Sequence, residues 1–210
     1  MKRRWKIAQF FEANWWRWYL SGKNETDYLH WKRQYWKRFL DMANGWPLPG
    51  ERLLDAGAGP AGVFLMFPEN EVTAVDPLLP SYRKQLVYLQ NGHFPNVRFL
   101  DTALESYVPD SPFDRIYCLN AINHVADLEA CLRCLRNALR PGGRLLLSVD
   151  THNYLIFKKI FNLLPGDILH PQQLDLNEYL SKLQNVGFFP VSVKLLHRHF
   201  FFSYHLIEAN

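Results

Sequence analysis

Residues 53–62, Leu-Leu-Asp-Ala-Gly-Ala-Gly-Pro-Ala-Gly, limit what this chain can fold into more than any other segment. Arg52, Leu53 and Leu54 open a short run of the kind that makes a buried parallel strand. Asp55, Gly57, Gly59 and Gly62 follow at its carboxyl end. Gly57 and Gly59 leave off the side chains that would hold a ligand away from the backbone, and Gly62 lets the next helix pack closely on the strand. A G-x-G-x-x-G alone is a weak signal, so its surroundings decide its meaning.

Those surroundings read as a nucleoside-binding α/β fold. Glu71 to Asp76 is a second apolar strand ending in a carboxylate. Asp76 lies about 20 residues after the glycine turn, the spacing at which an acid meets ribose hydroxyls. Two ionised oxygens suit that place because they accept from both hydroxyls. Val97–Leu100 is a third strand, ending at Asp101, and Phe113 to Asn120 a fourth. A helix over Leu128 to Leu139 follows, then the Leu139-Arg-Pro-Gly-Gly turn and a fifth strand to Asp150. A break at Leu164-Pro-Gly-Asp interrupts a helical stretch over Thr151 to Asn185. Its second part is a helix from about Gln172, after His170-Pro171. Phe188 to Leu196 and His199 to Glu208 alternate as the last two strands.

Residues 50–150 resemble the class I S-adenosylmethionine-dependent methyltransferases, especially the ubiquinone/menaquinone-type small-molecule branch. The resemblance rests on Asp55-Ala56-Gly57-Ala58-Gly59, on Asp76-Pro77, on Asp101-Thr102-Ala103, on Phe113-Asp114 with Asn120 to Val125, and on Leu139 to Gly143, in that order. It implies a doubly wound, Rossmann-like, mostly parallel sheet of seven strands with the last antiparallel. The implied cofactor is S-adenosylmethionine. Its methionine part would lie on Asp55, Ala56, Gly57 and Gly59, its ribose on Asp76 and Pro77, and its adenine on Asp101, Thr102 and Ala103, with Asn120 beneath the sulfonium.

The implied reaction is displacement at a sulfonium methyl, in which the protein mainly aligns the nucleophile. An oxygen acceptor needs a base, while an activated ring carbon needs less help. His124, after the fourth strand, is the first candidate; His152 and Asp150, after the fifth, come next. Asn123, Tyr154 and His170 are candidates for orienting the acceptor. Competing structural roles are open to each, such as helix capping or loop hydrogen bonds. A cofactor-binding scaffold without turnover is the main alternative function. A flavin- or nicotinamide-binding oxidoreductase is another, but Asp55 directly before the turn and the short stretch Val63 to Phe67, stopped by Pro68, count against it. Nucleic-acid methylation signatures are absent: Asn120-Ala-Ile-Asn stands where D/N-P-P-Y/F would be.

The first 46 residues differ from the rest. They hold all seven tryptophans, and ten of the 24 lysines and arginines fall before residue 39. Two helices are expected, about Trp5 to Leu20 and Thr26 to Met42, forming a lid (1–46) over a methyltransferase domain (47–210). Trp15, Trp16, Tyr19 and Trp31 are the expected contacts to an apolar or aromatic small-molecule acceptor. The plainest role for the rings is to pack on the sheet domain and close the active site, and docking on a membrane surface is a further role open to this segment. A net charge of +4 is too modest to argue for a nucleic-acid partner.

At 48% hydrophobic and 21% charged residues, composition is that of an ordinary globular domain, and no long apolar run reads as a spanning helix or signal core. The location this implies is cytoplasmic. Cys131 and Cys134 form a C-x-x-C, but they share an amphipathic helix with Leu128, Leu132 and Leu135. They read, with Cys118, as core residues, and no metal site is expected.

Overall fold

A computed structural model describes the backbone of residues 3–90, 92–152, 174–200 and 202–210, with side chains from residue 9 onward, residue 152 excepted. Seven strands form one sheet: β1 (Leu53–Ala56), β2 (Val72–Val75), β3 (Val97–Leu100), β4 (Phe113–Cys118), β5 (Leu139–His152), β6 (Pro190–Arg198) and β7 (Phe202–Ala209). Their order across the sheet is β3-β2-β1-β4-β5-β7-β6. β7 alone runs against the others, pairing antiparallel with both β5 and β6. β1 lies between β2 and β4, parallel to both, so the order reverses beside it. In open α/β sheets ligands bind at the carboxyl ends of the strands at such a reversal.

Every residue of β1 and β2 is buried, as their largely apolar sequences require when both faces of a sheet are covered. One face carries α4 (Leu128–Ala138), whose stripe of Leu128, Cys131, Leu132 and Leu135 is buried. Asp127 caps it by accepting from the Ala130 amide at 3.0 Å. A further helix on that face, Leu176–Asn185, begins with a capping box in which Asp175 and Glu178 each accept from the other's amide. Cys118 and Cys131 are buried and Cys134 half-buried, and all three are free thiols.

The other face carries the N-terminal segment: α1 (Arg3–Ser21) and α2 (Glu25–Ala43). Asn24 caps α2 by accepting from the Thr26 and Asp27 amides. Tyr28, Trp36, Phe39, Leu40 and Ala43 of α2 are buried in one cluster with Leu53, Val72, Ala74 and Tyr117 of the sheet. Polar ties reinforce this seating. The Trp36 indole donates to Ala61 O at 2.9 Å, and the Glu25 carboxylate accepts from the Val87 and Tyr88 amides at 3.0 Å. α2 is therefore packed into the core of this face of the sheet. The remaining connection on this side includes α3 (Leu79–Arg83), preceded by Asp76.

Elsewhere the elements follow the sequence closely. Val63–Met66 is a single 3₁₀ turn, in keeping with the stop expected at Pro68. β5 begins at Leu139, which pairs with Phe113, and the pairing resumes at Arg144 opposite Arg115, so residues 140–143 bulge out of the ladder where the sequence has its Arg-Pro-Gly-Gly turn. The helical break at Leu164, Tyr154 and His170 lie outside the described residues.

Candidate active site

The segments that leave β1, β2, β3 and β4 at their carboxyl ends converge on one cleft of about 800 Å³, counting the part open to solvent. Clefts of this size hold a ligand such as a nucleoside derivative. Gly57, Ala58 and Gly59 after β1 form one wall, Asp76, Pro77 and Leu78 after β2 another. Ala103 to Glu105 after β3 and Asn120, Ala121 and His124 after β4 complete the body side. Gln9, Glu12 and Trp16 of α1, with Lys32 and Trp36 of α2, line the side facing them.

The glycine turn takes its shape from left-handed backbone at Gly57 (φ 76°) and Gly59 (φ 59°). The two do different things. A Cβ on Gly57 would meet Ala121 Cβ at 2.3 Å, so this glycine lets the loop after β4 approach β1. A Cβ on Gly59 would meet nothing within 4 Å, so its bare backbone faces open space in the cleft. Gly62 is needed for packing: a Cβ there would lie 2.4 Å from Asp55 Oδ2 and 2.5 Å from Ala58 O.

Asp55 lies beneath the turn, outside the cleft lining. It is 3% exposed, and its Oδ2 accepts from the Phe64 amide at 2.9 Å. Burial pushes its carboxyl up to about 7, against the stabilising backbone amides. Its role is to brace the turn. Ala56, wholly buried, is likewise under the cleft.

Asp76 does face the cleft, and its carboxylate is fixed: Oδ2 accepts from the Gly59 amide at 2.8 Å and Oδ1 from the Leu78 amide at 2.7 Å. The Gly59 bond ties the acid to the glycine turn across the β1–β2 boundary. Each oxygen keeps a further lone-pair direction for a ligand hydroxyl. Burial again dominates, raising its carboxyl to about 7 despite both amides.

Lys32 is the residue that motif reading missed. It sits on α2 with its ammonium 5.4 Å from the Trp31 ring centroid, 5.5 Å from that of Tyr35 and 5.4 Å from that of Trp36. It forms no ion pair among the described residues. Burial lowers it to about 8, the nearby Asp55 charge opposing. A desolvated cation at a cleft wall, held by rings rather than by an acid, is arranged to receive an anionic ligand group.

Asp101 and Thr102 do not line the cleft. The Thr102 amide donates to Leu100 O at 3.1 Å, a tight turn that leaves Asp101 exposed. Ala103 lines it as expected, and the acid that reaches the cleft from this loop is Glu105, which accepts from the Ala126 and Asp127 amides at 2.7 and 3.2 Å. Asn120 lines the cleft with φ 55°, its amide donating to Ser148 Oγ at 2.8 Å. His124, on the single turn Ile122–His124, also faces it.

Asn123 is buried outside the lining and donates to Asp150 O at 3.1 Å, tying the β4 loop to β5. Asp150 itself is outside the lining, and His152 closes β5. Of the four expected aromatic contacts, Trp16 lines the cleft. Trp15 stacks on Tyr19 with centroids 5.0 Å apart, and Trp15 and Trp31 are about half exposed; none of these three lines it. Among the described residues no group of histidines, cysteines and acids is placed to hold a metal.

A family model described as a methyltransferase domain matches residues 28–201. A ubiquinone/menaquinone biosynthesis C-methyltransferase of Shewanella sp. (strain ANA-3) is 28% identical over 166 residues, 71% of this chain and 64% of that protein. A ubiquinone biosynthesis O-methyltransferase of Paracidovorax citrulli (strain AAC00-1) is 25% identical over 116 residues, 53% of this chain and 48% of that protein. The chain thus spans between about half and two-thirds of the length of these relatives. Among solved structures, magnesium protoporphyrin IX methyltransferase from Synechocystis PCC 6803, with bound SAH, superposes with a TM-score of 0.67 at 20% identity over 99% of both chains. With a family model that spans most of its residues and a fold that such a neighbour shares, the chain belongs to the class I S-adenosylmethionine-dependent methyltransferases.

Proposed function

We propose that the cleft binds S-adenosylmethionine and that the chain transfers its methyl group to a small apolar or aromatic acceptor, at oxygen or carbon. The observation that carries the cofactor reading is the Asp76 carboxylate, fixed by two backbone amides at the edge of a bare glycine turn. Asp76 would take the ribose hydroxyls, the Gly57–Gly59 backbone the methionine part, and Lys32 its carboxylate. When bound, the cofactor supplies a methyl group already activated by a sulfonium leaving group.

The rest falls to the chain's own residues. Trp16, Trp36, Leu119 and Val125 give the cleft apolar walls that exclude water and suit an apolar acceptor. Among the described residues His124 is the histidine that lines the cleft, and on this reading it takes the proton from an oxygen acceptor. Two relatives are named as an O- and a C-methyltransferase of quinone biosynthesis, which supports transfer at oxygen or carbon.

Asp76→Ala removes charge-assisted hydrogen bonds to the ribose and is expected to weaken binding of S-adenosylhomocysteine by about 1.5–3 kcal/mol. Calorimetry checks this, and an unchanged affinity contradicts the ribose assignment. Turnover of labelled cofactor with a panel of phenols, quinols and hydroxylated lipids tests the transfer. Cofactor binding with no turnover across the panel favours a scaffold over an enzyme.

A further inference from the structure

The two faces of α1 differ sharply. Gln9, Glu12 and Trp16 point into the cleft. The opposite face presents Phe10 at 65% exposure, Phe11 at 50% and Trp18 at 73%, with Arg17 also exposed. Three large apolar side chains on one helix face, open to solvent, are more than scattered surface hydrophobics account for.

Charge decides what fits there. Glu12 is the one acidic residue of α1, and it is turned to the cleft, while Arg3, Arg4, Lys6 and Arg17 lie on the same helix. Residues 1–38 carry ten basic and three acidic side chains, a net +7, whereas the whole chain carries +4. The remainder of the molecule is therefore net acidic, and the positive charge is concentrated on the segment that also bears the exposed rings. Aromatic rings with interleaved cations and no acid on the outward face match the interface of an anionic bilayer, where rings enter the headgroup boundary and cations meet lipid phosphates. No described helix is long and apolar enough to cross a membrane, so the contact is with its surface.

We infer that the outward face of α1, through Phe10, Phe11 and Trp18, docks on the surface of an anionic lipid bilayer. The inference stands on the surface of α1 and not on the cofactor reading. Because the same helix lines the cleft from its other side, docking sets the cleft beside the membrane.

The test uses the full chain with phosphatidylcholine vesicles and with vesicles containing phosphatidylglycerol. Sedimentation is expected with the anionic vesicles and little with the neutral ones, and high salt is expected to release the protein. All seven tryptophans lie in residues 1–46, so quenching by brominated acyl chains reads this segment directly. The double variant Phe11→Ser/Trp18→Ser is expected to lower vesicle affinity by about tenfold or more. Its unfolding midpoint and its affinity for S-adenosylhomocysteine should match those of the parent protein. Equal binding to neutral and anionic vesicles, or a double variant that binds as the parent does, overturns the inference. So does a parent dimer, seen by light scattering, that the double variant dissociates, since the face is then a protein interface.

Discussion

Replacing Lys32 by methionine is expected to weaken S-adenosylhomocysteine binding by about 2–4 kcal/mol, roughly 30- to 1,000-fold, because it leaves the ligand's carboxylate in a desolvated cleft without a counter-charge. Methionine keeps the length and apolar stem of the side chain, so the Trp31, Tyr35 and Trp36 rings retain a neighbour. The matching control is 5′-methylthioadenosine, which has the ribose and adenine but no amino-acid group. Its affinity should be the same for both proteins. If Lys32→Met weakens both ligands equally, the lysine supports the cleft and does not hold the carboxylate.

The same groups set a pH window for binding. Lys32, lowered to about 8 by burial, would hold the carboxylate only when protonated, so affinity is expected to fall as pH rises through that value. Asp76, raised to about 7, would accept from both ribose hydroxyls only when ionised, so affinity is expected to fall as pH drops through it. Affinity should therefore peak between these limits. Lys32→Met should flatten the alkaline limb and keep the acid one. The ligand's own amino group titrates against both proteins alike, so the difference between them reports Lys32.

The largest effect on stability is expected at Trp36. Its ring is 4% exposed, sits among Tyr28, Phe39 and Leu40, and donates to Ala61 O next to the glycine turn. Trp36→Ala should cost about 3–5 kcal/mol through the cavity and the orphaned carbonyl, a large share of the about 5–15 kcal/mol that holds a domain together. Urea unfolding followed by circular dichroism measures it. Trp18→Ala, at a ring 73% exposed, should change stability by less than about 0.5 kcal/mol. Comparable losses at both sites would contradict the division of the tryptophans between core and surface.

That division explains what the sequence could and could not disclose. Buried strands announce themselves by largely apolar runs, as in Leu53-Leu54 and Val72 to Val75, and α4 by its Leu128, Cys131, Leu132, Leu135 stripe. Asp76 was legible because its distance from the glycine turn is fixed by one strand–loop–strand unit. Asp101 was not, because a single turn at Thr102 moved the acid to the surface and brought Glu105 to the cleft four residues later. Spacing does not encode the direction in which a loop leaves a strand.

Lys32 was missed for another reason. It belongs to no motif, since α2 reaches the cleft by tertiary packing and not by chain proximity. A signal existed all the same: Tyr28, Lys32, Trp36 and Phe39 share one helix face, and a lone lysine on an apolar stripe needs a partner or a ligand. Gly57 shows the reverse case. Its position in the motif was plain, but the group it makes room for, Ala121, lies 64 residues away in the sequence.

Calorimetric titration of the full chain with S-adenosylhomocysteine, set beside an identical titration with NAD, tests the central reading most directly. Saturable binding of one S-adenosylhomocysteine per chain, strongest between pH 7 and 8, with no heat of binding from NAD, is the predicted result. Tight NAD binding with none of S-adenosylhomocysteine would contradict it.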